Sequence, residues 1–292
     1  MENLIQQLIN GLSLGSIYAL LALGYTMVYG IIKLINFAHG EIYMIGAFVG
    51  YYVINYLGVG LIPALLLSMS FTAVLGVIIE RVAYKPLRKS SRIAALITAI
   101  GVSYLLQNGM IYFVGPEVRS FPQVVENSLY TIGSFQVSKM QVLIIVTTFI
   151  LMAGLQFIIQ KTKMGKAMRA VSIDSQAAEL MGINPDLVIS FTFFLGSALA
   201  GAAGVLVGMY YNSINPMMGY APGLKAFIAA VLGGIGIVPG AVLGGFAIGL
   251  IEVLISGYGN SMVRDAVVYG ILIVILLVRP SGILGKHAKE KV

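Results

Sequence analysis

The sequence of 292 residues has no cysteine and only two histidines, His39 and His287. Without cysteine it has no disulfide framework, no thiolate nucleophile and no thiolate ligand for a metal. Two histidines are too few for a multi-histidine metal site, so the sequence predicts neither a bound metal nor another cofactor.

Charged residues are also scarce, because 18 Lys and Arg and 11 Asp and Glu make up only 10% of the chain. Apolar residues make up 59%, and the mean hydropathy of +0.95 excludes an ordinary soluble enzyme. The formal net charge is +7, but the basic residues lie between apolar runs rather than in one patch. We therefore expect no nucleic-acid partner.

Two common functional motifs are absent as well. The chain has no G-x-x-x-x-G-K-[ST] loop for ATP phosphates and no H-E-x-x-H zinc motif. The sequence predicts that the protein is not an enzyme, has no catalytic residues and has no ATPase site of its own.

Uncharged runs long enough to cross a bilayer fill most of the chain. A bilayer core of about 30 Å needs roughly 20 apolar residues in a helix. The runs without a charge are residues 3–32, 42–79, 93–115, 142–160, 187–224 and 226–251. We therefore predict an all-α polytopic transmembrane helical bundle in which residues 1–292 form a single domain.

Basic residues concentrate in three clusters, which mark the cytoplasmic side of a membrane protein. The clusters lie at residues 81–92, 161–169 and 279–291. Counting spans outward from them places the N-terminus outside and the C-terminus in the cytoplasm. The predicted spans are residues 8–31, 41–57, 61–80, 93–114, 141–160, 191–211 and 262–278.

The stretch from residue 222 to residue 256 must cross the membrane an even number of times, because it starts outside and a span that ends inside follows it. We predict two short, broken or re-entrant segments here, which gives eight or nine segments in total. A fresh segment is expected to start near the proline, since the first turn of a helix tolerates proline. The residues that carry the break are Gly233, Gly234, Gly236, Pro239 and Gly240.

The segment from residue 164 to residue 186 is too polar to enter the membrane but is rich in helix-forming residues. We predict two short amphipathic helices that dock into a groove of another protein, and Gly182 and Pro185 are expected to stop the second of them. The alternative is an amphipathic loop that rests on the bilayer. The small and apolar residues at helical spacing are Ala167, Ala170, Val171, Ala177, Ala178, Leu180 and Met181.

A polar break, Asn36-Phe37-Ala38-His39-Gly40-Glu41, separates the first two apolar spans. Asn36 is expected to cap the next helix, and Gly40 lets that helix pack closely against a neighbour. A histidine and a glutamate next to apolar spans also suggest a substrate path or a proton relay. Both interpretations stay open, although a position near the cytoplasmic end favours capping and packing. The charges expected at the interfacial ends of spans are Glu252, Arg264 and Asp265.

Three runs of the sequence resemble the permease subunits of ATP-binding-cassette importers for branched-chain amino acids, of the LivH type. They are residues 11–50, which include N-F-A-H-G-E at 36–41, residues 165–185 and residues 226–245. The likeness covers nearly the whole chain. It implies an importer-permease fold and the translocation of branched-chain amino acids across the bacterial inner membrane.

The resemblance also implies a cytoplasmic coupling loop, residues 161–190, that docks on an ATPase through an E-A-A-x-x-x-G element. Residues 176–182 resemble this element, but Gln176 stands where the family has glutamate. The negative charge that a salt bridge at this position would need is therefore missing. The coupling candidates are Arg169, Gln176, Ala177, Ala178 and Gly182. The candidates for the helix breaks or the translocation path are Asn36, His39, Gly40, Glu41, Gly233, Gly234, Pro239 and Gly240.

A heteromeric transporter in the lipid bilayer follows from the resemblance. It implies a second related permease, two cytoplasmic ATPase subunits and a periplasmic substrate-binding protein that delivers the amino acid. Two alternatives stay open. One is a permease of the same class for urea or short amides, and the other is an ion-coupled secondary transporter, which works alone and needs a buried ionisable group.

Overall fold

The computed structural model describes residues 2–88, 90–126, 128–132 and 135–285. Lys89, the C-terminal basic residues Lys286, Lys289 and Lys291, and His287 lie outside the described residues. A π-helical turn, Glu80–Tyr84, and a 3-10 turn, Lys85–Leu87, continue the third helix. In chain order the elements are α1 (Glu2–Ile32), α2 (His39–Leu57), α3 (Leu61–Ile79), α4 (Arg92–Val114), β1 (Arg119–Ser120), β2 (Leu129–Ile132), β3 (Phe135–Ser138), α5 (Lys139–Lys161), α6 (Lys163–Ile173), α7 (Ser175–Leu180), α8 (Pro185–Tyr211), β4 (Ser213–Ile214), α9 (Tyr220–Gly233), α10 (Val238–Tyr258) and α11 (Arg264–Val278).

Long apolar helices make up most of the described chain. Seven of the helices found among the described residues are long and apolar enough to cross a membrane. Helix α2, with 19 residues, and the shorter α9, with 14, are packed among them. The apolar side chains of these helices form a continuous buried core. The prediction of an all-α polytopic bundle is therefore confirmed.

The predicted break near Gly234 separates a short helix from a full-length one. Helix α9 ends at Gly233, after which Gly234 and Gly236 take positive φ angles of 108° and 94°, a conformation that favours glycine. Helix α10 then starts at Val238 with Pro239 in its first turn. Two helices therefore fill this stretch, as predicted, but only α9 of the pair is short.

Helices α1 and α10 run antiparallel with their backbones in contact. A Cβ atom added at Gly249 would lie 2.3 Å from Gly15 Cα, and one added at Gly245 would lie 2.5 Å from Ala19 Cα. Toward the other end of α1, a Cβ atom at Gly30 would lie 3.3 Å from Gly236 Cα. Small residues on both helices therefore allow this close approach.

Replacing Gly249 with alanine is expected to destabilise the protein by about 1–3 kcal/mol, because the new methyl group overlaps the α1 backbone. Gly154→Ala is the matched control, since Gly154 lies within α5 and has open space around its Cα. Alanine favours a helix over glycine, so the control is expected to unfold at the same temperature or higher. Thermal unfolding midpoints in detergent measure the stability of both variants. Equal shifts of the midpoint would contradict the close packing of α1 against α10.

One end of the bundle carries the described residues of the three basic clusters, and we call it the basic end. The C-terminal ends of α1, α9 and α11 meet there, since Gly30 lies against Gly236 and Gly234 lies against Gly282. The extension of α3 joins them, because the Tyr84 hydroxyl donates a hydrogen bond of 2.9 Å to Asn36 Oδ1. The loop between α5 and α8 also lies at this end.

Helix α8 starts earlier than predicted. Pro185 does not end a helix but occupies the first turn of α8, and the Asn184 side chain accepts a hydrogen bond of 3.3 Å from the Leu187 N–H. Gly182 does follow the end of α7, with a positive φ of 83°. The loop between the long helices is therefore residues 162–184 rather than 161–190.

After α8 the chain turns back into the bundle before α9 begins. Away from the basic end, β4 pairs with β1, and β2 pairs with β3. The next residues bring Gly219 against Gly40, where an added Cβ atom at Gly40 would lie 2.4 Å from the Gly219 carbonyl oxygen. His39 packs against Gly24 of α1, about 12 Å along that helix from its end at Ile32. Helices α2 and α9 therefore both begin inside the bundle.

Candidate translocation site and docking surface

The starts of α2 and α9 lie side by side, and glycine makes this possible. A Cβ atom at Gly40 would lie 2.4 Å from the Gly219 oxygen and 3.1 Å from Gly223 Cα. Neither helix start has a side-chain cap. Because the N-terminus of a helix carries a partial positive charge, two such charges converge at this point.

Glu41 lies at this junction, in the first turn of α2, and is only 2% exposed. Its Oε1 accepts a weak hydrogen bond of 3.4 Å from the Ser103 hydroxyl. Its Oε2 has no hydrogen-bond partner among the described residues, and a Cβ atom at Gly219 would lie 2.6 Å from it. The ion pairs found in the described chain do not include Glu41. The two helix N-termini are thus the positive groups next to its carboxylate.

A cavity of about 230 Å³ adjoins this carboxylate between α2, α4 and α9. Its polar lining comes from Glu41, Ser103 and Gln107. Exposed tyrosine rings, Tyr104 and Tyr220, form part of its rim. The remaining lining residues are Tyr25, Phe37, Gly40, Ile100, Gly219, Gly223 and Leu224.

His39 and Asn36 belong to the packed core rather than to this cavity. The His39 ring lies against Gly24 and makes an edge contact with the Tyr25 ring, with 4.8 Å between the ring centroids. Asn36 does not cap α2, because Ala38 holds the cap position. Asn36 Oδ1 instead accepts a hydrogen bond of 3.1 Å from the Ala38 N–H, just before the helix.

The second predicted break lies apart from the cavity. Gly233 and Gly240 pack against each other at the basic end, where a Cβ atom at Gly240 would lie 2.3 Å from the Gly233 oxygen. Gly234 and Pro239 complete this turn, and none of the four lines the cavity. The structure therefore groups Gly40 and Glu41 at one site and the break near Gly234 at another.

A buried ion network, which was not predicted, links four helices. Glu252 was predicted to be interfacial, but it is 3% exposed and Lys225 is 4% exposed. Lys225 Nζ lies 2.8 Å from Glu252 Oε1 and 2.9 Å from Asp265 Oδ1. The Tyr18 hydroxyl donates a hydrogen bond of 2.8 Å to Glu252 Oε2, and Arg264 Nε lies 3.3 Å from Oε1. The network ties α9 to α1, α10 and α11.

A signal for this network is present in the sequence. Lys225 is a lone charge between two uncharged runs, and Glu252 is the next charge after it. Two lone charges of opposite sign in apolar sequence predict an ion pair, because each charge is costly to bury alone.

The loop between α5 and α8 forms the two short helices that the sequence predicts. Their inner faces bury Gly165, Met168, Val171 and Ala178. Three apolar side chains face outward, and we call them the loop patch. The loop patch is Ile173, Leu180 and Met181, which are 87%, 89% and 84% exposed.

The other coupling candidates hold the loop in shape. Arg169 donates a hydrogen bond to the Ile159 carbonyl oxygen, which ties α6 to the end of α5. The Asp174 side chain accepts hydrogen bonds of 2.9 Å from the backbone N–H groups of Gln176 and Ala177, whose own side chains are exposed. This cap fixes the start of α7.

A second charged network, also not predicted, ties the end of this loop to α3. Asp186, in the first turn of α8, lies 2.7 Å from Lys85 Nζ and also binds Arg88. Arg88 in turn pairs with Glu80, which is fully buried and accepts a hydrogen bond of 2.6 Å from the Ser190 hydroxyl. The start of α8 and the end of α3 are thus fixed to each other.

The chain matches a known protein family over most of its length. Residues 7–277 match the family model described as the branched-chain amino acid transport system / permease component. The chain belongs to this family. It is therefore a permease subunit and a multi-pass protein of the bacterial inner membrane.

Relatives match over almost their whole length. A high-affinity branched-chain amino acid transport system permease protein of Pseudomonas aeruginosa, BraD, is 45% identical over 99% of this chain and 98% of its own. The corresponding LivH protein of Escherichia coli is also 45% identical, over 99% of this chain and 97% of its own. In a solved structure, PsaBC from Streptococcus pneumoniae in complex with Fab, a chain aligns with a TM-score of 0.51 at 12% identity, covering 96% of this chain and 93% of its own. That likeness concerns the fold alone.

Proposed function

We propose that this chain is a permease subunit of an ATP-binding-cassette importer and that it moves branched-chain amino acids across the inner membrane. The observation that carries the proposal is the 45% identity to branched-chain amino acid permeases along 99% of the chain. The bundle supports it, because discontinuous helices that begin inside the membrane are a frequent feature of substrate paths. We infer that residues 1–292 act as one permease domain.

The proposed assembly contains a second related permease, two cytoplasmic ATPases and a periplasmic binding protein. The sequence has no phosphate-binding loop for ATP, so the energy for transport has to come from a partner. Lysine and arginine are enriched on cytoplasmic loops, so the basic end is assigned to the cytoplasm. This assignment places the N-terminus outside and the C-terminus inside.

The loop of residues 162–184 is the proposed contact to an ATPase. An exposed apolar patch on a short helix suits docking into a groove of another protein. In this proposal Arg169, Gln176, Ala177, Ala178 and Gly182 shape the loop, and the loop patch makes the contact. Movement of the loop would then pass to α8 and α3 together, because Asp186 and Arg88 fix these helices to each other.

The cavity beside Glu41 is the proposed part of the translocation path. It combines apolar side chains with a few polar groups, which suits an amino acid with an apolar side chain. His39, Asn36 and the break near Gly234 support the helices around it rather than line it.

Reconstitution of the full transporter in proteoliposomes tests the function. We expect uptake of leucine that requires both ATP and the binding protein, with little uptake of urea. Uptake of urea or acetamide in place of leucine would overturn the substrate assignment. Uptake by this chain alone, without ATP, would overturn the importer assignment and favour an ion-coupled transporter.

A further inference from the structure

We propose that the Glu41 carboxylate binds the ammonium group of the amino-acid substrate. The inference rests on the proposed function and deepens it, because it assigns a chemical group of the substrate to a residue of the path. Three observations carry it: a buried carboxylate without a counter-charge, a cavity beside it, and the chemistry of the other lining groups.

The buried Glu41 carboxylate lacks a positively charged partner among the described residues. Burying a carboxylate away from water is costly unless it is paired or hydrogen-bonded. In the described chain Glu41 has only the long contact to Ser103 and the N-termini of α2 and α9, whereas Lys225, Arg88 and Arg264 are committed to other carboxylates. The helix N-termini favour the ionised carboxylate but do not replace a full positive charge. A substrate cation in the adjoining cavity supplies that charge.

The size of the cavity fits a small metabolite. Its volume of about 230 Å³ lies below the roughly 300–1,000 Å³ typical of sites for drug-sized ligands. An ammonium group has three N–H donors, and the cavity offers three acceptors in the Glu41 carboxylate, the Ser103 hydroxyl and the Gln107 amide oxygen.

The apolar part of the lining fits the rest of the substrate. Phe37, Ile100 and Leu224 line the same cavity and suit a branched aliphatic side chain. Urea and short amides are uncharged, so a carboxylate offers them no comparable gain. The site thus favours an amino acid over the alternative substrates.

The test uses the complete transporter in proteoliposomes, with leucine delivered by its binding protein. Glu41→Gln keeps the shape of the side chain and removes its charge. We expect leucine uptake per transporter to fall about tenfold or more, because a hydrogen bond to a charged group contributes enough free energy for such a factor. ATP hydrolysis stimulated by the binding protein is expected to stay within about twofold. Glu117→Gln, an exposed glutamate of the loop after α4, is the matched control with unchanged uptake.

A photoreactive leucine with a side-chain diazirine gives an independent readout on the wild-type transporter. Illumination during turnover is expected to label the peptides that contain Phe37, Ile100 or Leu224. If the wild type takes up leucine, two results would overturn this inference and leave the proposed function intact. One is normal leucine uptake by Glu41→Gln, and the other is labelling only elsewhere in the chain. Absence of leucine uptake by the wild type would refute both. If the variant fails to assemble, the labelling pattern alone decides.

Discussion

Replacement of Lys225 by methionine is expected to lower the stability of the protein by about 3 kcal/mol or more, because it leaves Glu252 buried without its main partner. Glu252 is 3% exposed, so its carboxylate has little contact with water. The loss falls at the lower end of the range for broken buried ion pairs, since Arg264 Nε still lies 3.3 Å from Glu252 and Tyr18 still donates to it. The thermal unfolding midpoint of the purified transporter measures the effect.

A double variant separates the ion pair from a simple loss of packing. Lys225→Met with Glu252→Gln removes both charges of the pair, and we expect it to recover at least half of the loss. Lys139→Met is the control for the substitution itself, because Lys139 is exposed at the start of α5. A single Lys225→Met variant that unfolds at the wild-type temperature would contradict the structural role of the network.

The spans were predictable because each depends on local composition. An uncharged apolar run has to be helical in a membrane, since a helix satisfies its own backbone hydrogen bonds. The break near Gly234 was predictable for the same reason, because it depends on residues that lie next to each other in sequence. Gly234 and Gly236 take positive φ angles, and Pro239 suits the first turn of a helix. Charge clusters at span ends then predicted that the stretch from residue 222 to residue 256 holds two segments.

The site itself depends on contacts between distant parts of the chain, and the local composition that predicts each span does not show which of these parts meet. Glu41 lies close to the end of α1 in sequence, which suggested an interfacial position, but the chain folds back and buries it beside Gly219. Lys225 and Glu252 are 27 residues apart and meet only because α9 and α10 pack against each other. Pro185 was misassigned because proline suits both the residues after a helix and the first turn of the next one.

Replacement of Met181 by aspartate is expected to detach the ATPase and reduce ATP-dependent uptake about tenfold or more. The side chain is 84% exposed in this chain, so the change removes almost no contact within the permease itself. If the loop patch docks into an apolar groove, the new carboxylate would be buried there without a partner, which costs enough to break a central contact of an interface. Leu180→Asp is expected to act in the same way, since that side chain is 89% exposed.

Met262→Asp is the matched control, because Met262 is 89% exposed and lies between α10 and α11, away from the basic end. Co-purification of the ATPase in mild detergent and uptake in proteoliposomes are the two measurements. Both should fall for Met181→Asp and stay unchanged for Met262→Asp, with equal unfolding midpoints. A Met181→Asp variant that retains the ATPase would show that the loop patch rests on lipid or is free.

Substitutions of buried or strained residues in the same loop would not show whether the loop patch contacts the ATPase. Ala178 is buried against the loop's own core, and Gly182 has a positive φ of 83°, so aspartate at the first or a bulky residue at the second would distort the loop itself. Loss of the ATPase would then follow from misfolding as readily as from lost contact. The exposed side chains of the loop patch separate these two causes, because their replacement changes the surface and leaves the loop's packing in place.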